Sequence, residues 1–555
     1  MNSWFKSGTP WVWLNAGAVS VSLVMVVGLL LMIAVNGLGH FWPKAVIEFE
    51  YQETPDSEPE RVIGEVSRSE TMTAAAMREA GYQVPEGQDV VVRHLIKRGN
   101  RDVTSRDFVW YLGEFMSEWR YPDQVIVLER TTWGDFYGYL RQYKEGDDVV
   151  AEGPAARQAF DDRLEQSLAQ VREILQIERY AIGEVNFQLE QVRLQRRGLE
   201  LNEALSPEDR TAGSAQLDAR EEDLRARYAE LETRRNELRD EVRRYSIVAE
   251  TMSGEMRQIG MDEIVRAWWP NEMSLGQQIG HYAHTFWDFV SGFPREANTE
   301  GGILPAIFGT VMMVILMSIV VTPFGVLAAI YLREYAKQGP LVRTIRIAVN
   351  NLAGVPSIVF GVFGLGFFVY FMGGGIDRLF FQEALPAPTY GGPAIIWASL
   401  TLALLTLPVV IVSTEEGLTR IPSTIRQGSL ALGATKAETL WRIIVPLSAP
   451  AMMTGLILAV ARAAGEVAPL MLVGVVKLAP SLPLDGNFPY VHLDRAFMHL
   501  GFHIYDVGFQ SPNVEAGRPL VYATALILVM LIMILNLSAI SIRNRLREKY
   551  KSESD

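Results

Sequence analysis

Cysteine is absent from this 555-residue chain. Without it the chain has no disulfide bond, no thiol nucleophile and no thiolate metal site. Histidine is scarce at seven residues, and its two close pairs, His281 with His284 and His499 with His503, lack the glutamate of an HExxH motif. The sequence also has neither a Walker A loop nor a Rossmann glycine fingerprint. We therefore expect no metal site, no bound cofactor and no catalysis by this chain.

Charged residues are sparse at residues 11–36 and through most of 303–542, whereas 37–302 has the composition of a soluble protein. That middle stretch holds 50 of the 64 acidic and 32 of the 51 basic residues, a net charge of −18. The division predicts membrane segments on both sides of an acidic insert. Because an acidic domain repels anions, a role in anion capture is disfavoured for the insert.

Long apolar runs indicate membrane spans. A bilayer core about 30 Å thick needs about 20 apolar residues in a helix, and six segments satisfy this. We therefore predict a mainly α-helical, polytopic membrane protein. The first segment is long for a signal peptide and lacks a clear small-x-small cleavage site, which favours a retained anchor. The predicted spans are 11–36, 303–332, 345–372, 393–413, 449–476 and 520–542.

Basic residues alternate between the connections. Segments 333–346 and 414–447 carry four each and the tail from 543 carries five, whereas 373–392 carries one and 477–519 carries three. Basic loops remain on the cytoplasmic side of a membrane. Both termini are therefore predicted to be cytoplasmic, and 37–302 to be periplasmic, in the inner membrane of a bacterial cell.

The insert has two sequence patterns. Short apolar runs between turn signals predict a β-rich or α+β domain at 37–154. Residues 155–250 carry apolar residues at heptad spacing, with gaps at Glu178 and Arg196 and a break at Ser206-Pro207. This pattern predicts an antiparallel coiled-coil hairpin, interpreted either as a spacer or as a docking site for a periplasmic partner. Residues 251–302 would then form a return segment.

A motif between two predicted spans, at 427–446, resembles the EAA loop of ABC-importer permeases. Gly433, Ile443 and Pro446 match the spacing of that loop, while 427–429 reads Gln-Gly-Ser where the family has Glu-Ala-Ala. A short helix on each side of the glycine would seat on a cytoplasmic ATPase and transmit its closure, the alternative being an ordinary connector. The candidate coupling residues are Gln427, Gly428, Ser429, Gly433, Ala434, Ile443 and Pro446.

Two ionisable residues lie within the predicted fifth span. Arg462 and Glu466 are four residues apart, a spacing that places them on one helix face, with Gly465 and Pro469 beside them. A buried arginine costs at least about 2.5–3.5 kcal/mol on insertion scales, so such residues usually face a bundle interior or water. Arg462 is therefore a candidate for an anion path with Glu466 holding it, or the two form a structural ion pair.

A third stretch, 350–361, combines small residues with Pro356. Small residues allow close helix packing, and proline frees backbone groups that can line a path. Asn351 and Ser357 are the candidate polar residues of that path, although core packing is the alternative for each.

Together these stretches resemble the A-subunit permeases of phosphate-specific transport systems. The resemblance covers most of 301–545, with 351–364 and 461–470 as the motifs of the phosphate branch, and the insert departs from the shorter members. It implies a type I importer-like permease and a transport role for the Arg462–Glu466 pair. It also implies four kinds of partner: a second homologous permease subunit, two copies of an ATPase that uses the ATP, a periplasmic phosphate-binding protein and the phospholipid membrane, with no nucleic acid.

Other functions remain open from the residues alone. Arg462 would suit sulfate or molybdate as well as phosphate. A signalling receptor linked to phosphate starvation would use the insert and anchor, and a secondary transporter would need no ATPase. The predicted organisation is 1–36, 37–154, 155–250, 251–302, 303–542 with the coupling loop at 414–447, and 543–555.

Overall fold

The computed structural model describes residues 7–53, 58–79, 84, 89–511 and 514–552, so the outermost residues of both predicted termini lie outside it. The chain forms two compact units. The membrane unit comprises Met1–His40, Val290–Asn298 and Ile303–Asp555, and its first helix is α1 (Thr9–Gly39). The inserted unit comprises Phe41–Phe289 and Thr299–Gly302.

Two antiparallel sheets build the inserted unit. Their strands are β1 (Val46–Tyr51), β2 (Glu60–Thr73), β3 (Val90–Lys97), β4 (Phe108–Leu112), β5 (Met116–Arg120), β6 (Val125–Arg130), β7 (Phe136–Glu145), β8 (Asp148–Glu152), β9 (Tyr245–Glu250), β10 (Met256–Gly260) and β11 (Ile264–Trp268). One sheet has the order β4-β3-β2-β1-β5 and the other β10-β9-β7-β6-β11, with β8 paired to β7. Val46 and Ile63 of the first sheet share a buried cluster with Val125, Val127 and Tyr137 of the second, so the sheets pack face to face.

Short elements complete this unit and its connections. Helix α2 (Ala74–Glu79) follows β2, and α3 (Arg101–Thr104) lies between β3 and β4. Single 3₁₀ turns occur at Gly113–Phe115 and Met261–Glu263. The two-residue strands β12 (Pro294–Arg295) and β13 (Glu300–Gly301) flank a further 3₁₀ turn at Glu296–Asn298.

A long helical hairpin interrupts the second sheet. It consists of α4 (Pro154–Gln176), a π turn at Ile177–Ala181, α5 (Ile182–Leu201) and α6 (Pro207–Arg243). The hairpin leaves the sheet after β8 and returns to it at β9. Tyr245 and Ala249, which the heptad pattern assigned to the hairpin, therefore lie in β9. The assignment was wrong because two apolar residues four positions apart fit one face of a helix and one face of a strand equally well.

The seam of the hairpin explains the two gaps in the heptad pattern. Buried Val185, Val192, Leu217 and Leu224 form one cluster between α5 and α6. At the gaps the arms are joined by ion pairs instead, Glu178 with Arg239 at 2.8 Å and Arg196 with Asp218 at 2.7 Å. Glu178 also lies in the π turn, where the helical register shifts. Supercoiling of these arms stays a prediction.

Residues 251–302 contribute to the sheet as well as returning the chain. Strand β11 pairs with β6, and β10 pairs with β9, so the second sheet combines strands from both sides of the hairpin. Helix α7 (Leu275–Ser291) follows β11 and leads towards the second membrane span.

Within the described residues, six helices are long and apolar enough to cross a membrane, which confirms the predicted number. They are Thr9–Gly39, Leu304–Tyr335, Ser357–Phe380, Ile395–Arg420, Lys436–Gly465 and Gly517–Arg545. The α-helices of this region are α8 (Leu304–Ile330), α9 (Pro340–Leu352), α10 (Ser357–Phe363), α11 (Gly374–Phe380), α12 (Ile395–Arg420), α13 (Ser423–Ala431), α14 (Lys436–Thr439), α15 (Val445–Gly465), α16 (Leu470–Val473), α17 (Leu500–Tyr505) and α18 (Val514–Ser552). Further π segments lie at Tyr331–Tyr335, Gly364–Gly373, Leu440–Ile444 and Asp506–Gln510.

Two spans differ from their predicted positions. The third was expected at 345–372, but the helix is interrupted after Leu352 and resumes at Ser357. Proline disfavours helical backbone in the residue before it, so Pro356 sets this break. The fifth was expected at 449–476, but it runs from Lys436 to Gly465. Hydropathy alone does not show that the helix begins at the polar cap Thr435, or that it ends at Gly465 while the sequence is still apolar.

Helix α12 lies at the centre of the membrane unit. Its buried Leu402 belongs to one cluster with Met317 of α8 and with Ala459 and Ala463 of α15. Small residues on α15 allow helix backbones to approach closely. The central packing therefore joins the second, fourth and fifth spans, and it fixes the positions from which the candidate site residues project.

Candidate functional site

The candidate coupling loop is two helices joined at a glycine. Helix α13 ends at Ala431, and Gly433 has a φ of 88°, a left-handed conformation that favours glycine. Thr435 then caps α14 through a capping box in which its side chain and that of Glu438 bond reciprocally to backbone N–H groups. The predicted bend at Gly433 is thus present, and a polar cap restarts the helix two residues later.

The second helix of this loop does not stop at Pro446. A π turn at Leu440–Ile444 links α14 to α15, and the continuous helix runs on to Gly465. Pro446 lies in the first turn of α15, and the wider π turn before it accommodates a residue that lacks an N–H group. The second helix of the loop and the fifth span therefore form one continuous helix, which is about 40 Å long from Lys436 to Arg462 at 1.5 Å per residue.

Polar contacts attach the loop to the end of the second span. Arg426 forms an ion pair with Glu334 at 2.8 Å and also donates to the carbonyl oxygens of Leu418 and Ile421. The ammonium group of Lys436 lies 4.7 Å from the centroid of the Tyr335 ring, within range of a cation–π interaction. The loop is thereby held against the ends of the second and fourth spans.

The remaining loop residues divide into inward and outward positions. Ser429 is buried, and its Oγ lies 2.8 Å from Oγ1 of Thr439. Ile443 is half-buried beside the cluster that contains Leu440 and Ile444. Large apolar side chains face outward, since Leu432 is 90% exposed and Trp441 56%. The exposed candidate residues are Gln427, Gly428 and Gly433, and Ala434 and Pro446 are half-buried.

The predicted charged pair is present, with a difference in backbone. Nε of Arg462 lies 3.6 Å from Oε1 of Glu466, and the side chains are 35% and 21% exposed. The sequence prediction placed both residues mid-helix. Instead α15 ends at Gly465, and Glu466 is extended with ψ at 134°. The carboxylate therefore sits on the irregular segment between α15 and α16, where the backbone has departed from the helix.

Close backbone packing brings the two phosphate-branch motifs together. A Cβ at Gly361 would lie 2.7 Å from Cα of Pro469, so α10 and the segment after Glu466 touch backbone to backbone. A Cβ at Gly364 would likewise collide with Thr401 and approach Val473. Glycine at both positions is what permits the third span to meet the segment that carries Glu466.

Asn351 and Ser357 lie on opposite sides of the break in the third span. Asn351 is exposed near the end of α9, and its carbonyl oxygen accepts the N–H of Gly354 at 3.0 Å. Ser357 is half-buried at the start of α10. Among the described residues no hydrogen bond joins either side chain to Arg462. Asn351 and Ser357 are close in sequence, but in this structure their side chains and that of Arg462 do not form one binding site.

A charged cavity in the membrane unit escaped the sequence analysis. Its volume is about 430 Å³, and Arg333, Arg346, Asn350, Glu415 and Arg420 are among its lining residues. Nε of Arg346 lies 3.0 Å from Oε1 of Glu415. The available signal was a pair of acids, Glu415 and Glu416, at the end of an apolar span, but its arginine partner lies on a helix 69 residues earlier.

The histidine pairs form no joint site. His284 pairs with Asp288 at 3.0 Å through Nδ1, while the ring of His281 packs against Trp268. His499 accepts the N–H of Gly501, and His503 lies 3.4 Å from the hydroxyl of Thr524. In the part of the chain that the structure describes, no group of three or more His, Asp or Glu residues is arranged to hold a metal ion.

The class of protein follows from the match to a family model. The model described as "Binding-protein-dependent transport system inner membrane component" matches residues 321–551. This stretch contains the candidate coupling loop, the Arg462–Glu466 pair and five of the six spans in whole or part. With six apolar helices, the chain is a multi-pass inner-membrane permease, and the match leaves the inserted unit outside the family model.

Curated relatives define the particular family. The phosphate transport system permease protein PstA of Mycobacterium leprae is 34% identical over 269 residues, which is 48% of this chain and 79% of the relative. PstA 1 of Mycobacterium tuberculosis H37Rv is 32% identical over 44% of this chain and 70% of the relative. PstA of Yersinia pestis is 30% identical over 45% and 75%. The chain belongs to the family of phosphate transport system permease proteins.

Among solved structures, the methionine ABC transporter MetNI in an inward-facing conformation matches at a TM-score of 0.32 and 16% identity, covering 44% of this chain and 95% of that one. This TM-score is too low to support a comparison of helix positions. The relatives named above are permease subunits of transporters, which agrees with a chain that is not itself an enzyme.

Proposed function

We propose that this chain is the permease subunit of an ATP-driven importer of inorganic phosphate, supplying part of the translocation path and the lever that opens it. One observation carries the coupling part of the proposal. The helix that begins in the candidate coupling loop at Lys436 runs without interruption to Gly465, three residues past Arg462. A displacement of the loop would therefore also displace Arg462, the residue that we assign to the path.

The loop has the surface that such a lever needs. Leu432 and Trp441 present apolar surface to solvent, while the buried Ser429–Thr439 hydrogen bond joins the two helices internally. Apolar residues on a short helix can fill a groove on a partner protein. The partner is an ATPase, whose two copies bind and hydrolyse the ATP, and this chain binds no cofactor of its own.

Arg462 supplies the positive charge of the path. A guanidinium presents a planar set of donors suited to an oxyanion, and Glu466 at 3.6 Å orients it without a short, fully satisfied contact. A side chain that is one third exposed in the single chain can face a lumen shared with a second permease subunit. Asn351 and Ser357, beside the break in the third span, add neutral polar groups along the same route.

The orientation rests on the basic connections. With 333–346, the coupling loop and the C-terminal tail in the cytoplasm, the inserted unit lies in the periplasm. There the hairpin is a coiled coil that acts as a spacer or as a docking arm for the periplasmic phosphate-binding protein. The assembly then contains this chain, a homologous second permease subunit, two ATPase subunits and the binding protein.

The test is uptake of radiolabelled phosphate by cells that lack the native chain and receive wild type, Arg462→Gln, Glu466→Gln or the double variant, with membrane abundance measured for each. Wild type should restore uptake, and Arg462→Gln should be present but inactive. Glu466→Gln leaves the charge of Arg462 without its partner. It should therefore reduce phosphate uptake more than the loss of an exposed surface ion pair would. Normal uptake by Arg462→Gln would assign the arginine to packing.

The same cells separate the other candidate functions. Failure of wild type to restore phosphate uptake, followed by competition with sulfate or molybdate, would identify another oxyanion importer. Uptake that survives loss of the ATPase would indicate a secondary transporter. A deletion of 155–250 that keeps uptake but alters phosphate-responsive expression would point to a signalling role for the inserted unit.

A further inference from the structure

Helix α7 is amphipathic, and its polar face is the one turned towards the adjacent sheet. On a helical projection Gln278, His281, Thr285 and Asp288 share one side. From that side Arg266 of β11 hydrogen-bonds to Thr285 and Asp288, and the ring of Trp268 lies 4.8 Å from that of His281. The helix is thus docked on the sheet through polar groups, which leaves its apolar side to be covered by something else.

Part of the apolar side is covered by the residues that follow the first span. The ring of Phe41 lies 5.3 Å from that of Phe286 and 5.2 Å from that of Phe289, and Trp42 lies 6.0 Å from Tyr282. Phe41 comes two residues after α1 ends at Gly39. The aromatic contacts therefore hold α7 next to the point where the chain leaves the membrane.

The rest of the apolar side is exposed. Leu275 and Trp287 are each 66% exposed and Ile279 is 53% exposed, and Trp42 beside them is 40% exposed. Leu275 and Ile279 lie on the same face of α7 as the covered aromatic residues, and Trp287 lies at the margin of that face. An apolar strip of this kind on a helix flanked by tryptophan and tyrosine is typical of the boundary between acyl chains and headgroups.

The other end of α7 is also tied to a membrane span. The carbonyl oxygen of Gly292, one residue beyond the helix, accepts the N–H of Leu304, the first residue of the second span, at 3.0 Å. In the sequence, short connections thus join the inserted unit to the spanning helices on both sides. The helix has no lysine or arginine, so attraction to anionic lipids contributes little to its placement.

We propose that α7 is an interfacial helix that lies in the headgroup region of the bilayer, on the side where the inserted unit emerges, with Leu275, Ile279 and Trp287 turned into the lipid. The occupant of the exposed strip is the lipid surface rather than another protein. Chain connectivity supports this occupant, because Phe41, which packs on α7, comes two residues after α1, and only twelve residues separate the end of α7 from the second span. The assignment holds for either orientation of the chain.

Single spin labels test this placement, and the natural absence of cysteine means that each label is the only one on the chain. Leu275→Cys and Ile279→Cys carry the label on the apolar side, and Gln277→Cys and His284→Cys are matched controls on the polar side. The full chain is reconstituted, alone and within the assembled importer, into vesicles of phosphatidylethanolamine and phosphatidylglycerol. Accessibility to oxygen, which partitions into lipid, is compared with accessibility to a water-soluble nickel chelate.

The labels at 275 and 279 should be accessible to oxygen and protected from nickel in both preparations, whereas those at 277 and 284 should show the reverse preference. This contrast should persist when phosphatidylglycerol is omitted. Equal nickel access on both sides would overturn the proposal, because the strip would then face water. Protection from both reagents that appears only in the assembled importer would overturn it in favour of a protein contact.

Discussion

The hydroxyl oxygens of Ser429 and Thr439 lie 2.8 Å apart in a buried hydrogen bond between the two helices of the candidate coupling loop. The residues lie on opposite sides of the bend at Gly433, so the bond closes the loop into one body. We therefore expect this loop to move together with the fifth span instead of flexing at its glycine.

Removing one of these hydroxyls should weaken coupling. Ser429→Ala leaves the Thr439 hydroxyl buried without this partner, and an unsatisfied buried polar group costs about 1–3 kcal/mol. We expect reduced phosphate uptake at normal membrane abundance, together with ATPase activity in the assembled importer that no longer depends on the binding protein. Combining it with Thr439→Val should recover part of the stability. Thr419→Val, which removes an exposed helix hydroxyl, is the control and should transport normally.

The bend itself should tolerate only glycine. Gly433→Ala places a side chain at a φ of 88°, a conformation that costs an L-residue about 1–2 kcal/mol. Uptake should fall severalfold, since the helix after the bend would be re-aimed. Gly198→Ala in α5, outside the candidate coupling loop, is the matched variant, because a Cβ there meets nothing within 4 Å and alanine favours the helix by about 0.5–1 kcal/mol. Equal uptake by the two variants would refute the role assigned to the bend.

The contact between Gly361 and Pro469 should be intolerant of any side chain. Alanine at 361 would bring its Cβ to 2.7 Å from a backbone carbon, so the third span or the segment after Glu466 must move. We expect a lower thermal unfolding midpoint of the purified chain and loss of uptake. Gly366→Ala, where the Cβ has open space, should leave both measurements close to wild type. A stable, active Gly361→Ala chain would show that the two motifs pack less closely.

Acid should loosen the first sheet of the inserted unit through Glu48. Burial alone would raise the pKa of this carboxyl, but hydrogen bonds from Arg61, Tyr139 and Arg120 outweigh it and the pKa is lowered. A lowered folded-state pKa stabilises the fold above the unfolded value of about 4.3, and this contribution is lost as pH falls through the folded value. Amide hydrogen exchange of β1 in the full chain should therefore accelerate as the pH falls below the folded-state pKa of Glu48. The acceleration should exceed the change that pH alone causes in the intrinsic exchange rate.

Glu48→Gln should produce the same loosening at neutral pH. It removes the charge that Arg61 contacts at 3.0 Å and Arg120 at 2.6 Å, and because both arginines are partly exposed, the cost should be below the about 3–5 kcal/mol of a fully buried pair. Exchange of β1 should then depend little on acid. Glu50→Gln on the same strand controls for the loss of one carboxylate. Unchanged protection in Glu48→Gln would mean that packing alone secures the strand.

Hydropathy and spacing were sufficient for the number of spans and for the bend at Gly433 with a helix on each side, because both depend on consecutive residues. They failed at the ends of the third and fifth spans, where Pro356 and Gly465 decide the backbone within runs that remain apolar. They also missed the pairing of Arg346 with Glu415 and the return of β9 and β11 to the sheet. Each of these depends on residues far apart in the sequence, which no local window samples.

The position of the hairpin has a consequence for biosynthesis. Strands β6 and β7 emerge early, yet their neighbours β11 and β9 lie beyond the whole hairpin. Closing so long a loop is entropically unfavourable and slow. A hairpin that folds on itself, however, returns Arg243 close to the start of β8. There the N–H of Gly146 donates a hydrogen bond to the carbonyl oxygen of Arg244. The hairpin therefore shortens the effective distance between the two halves of the sheet. Adding or removing matching turns in both arms would leave that short distance unchanged.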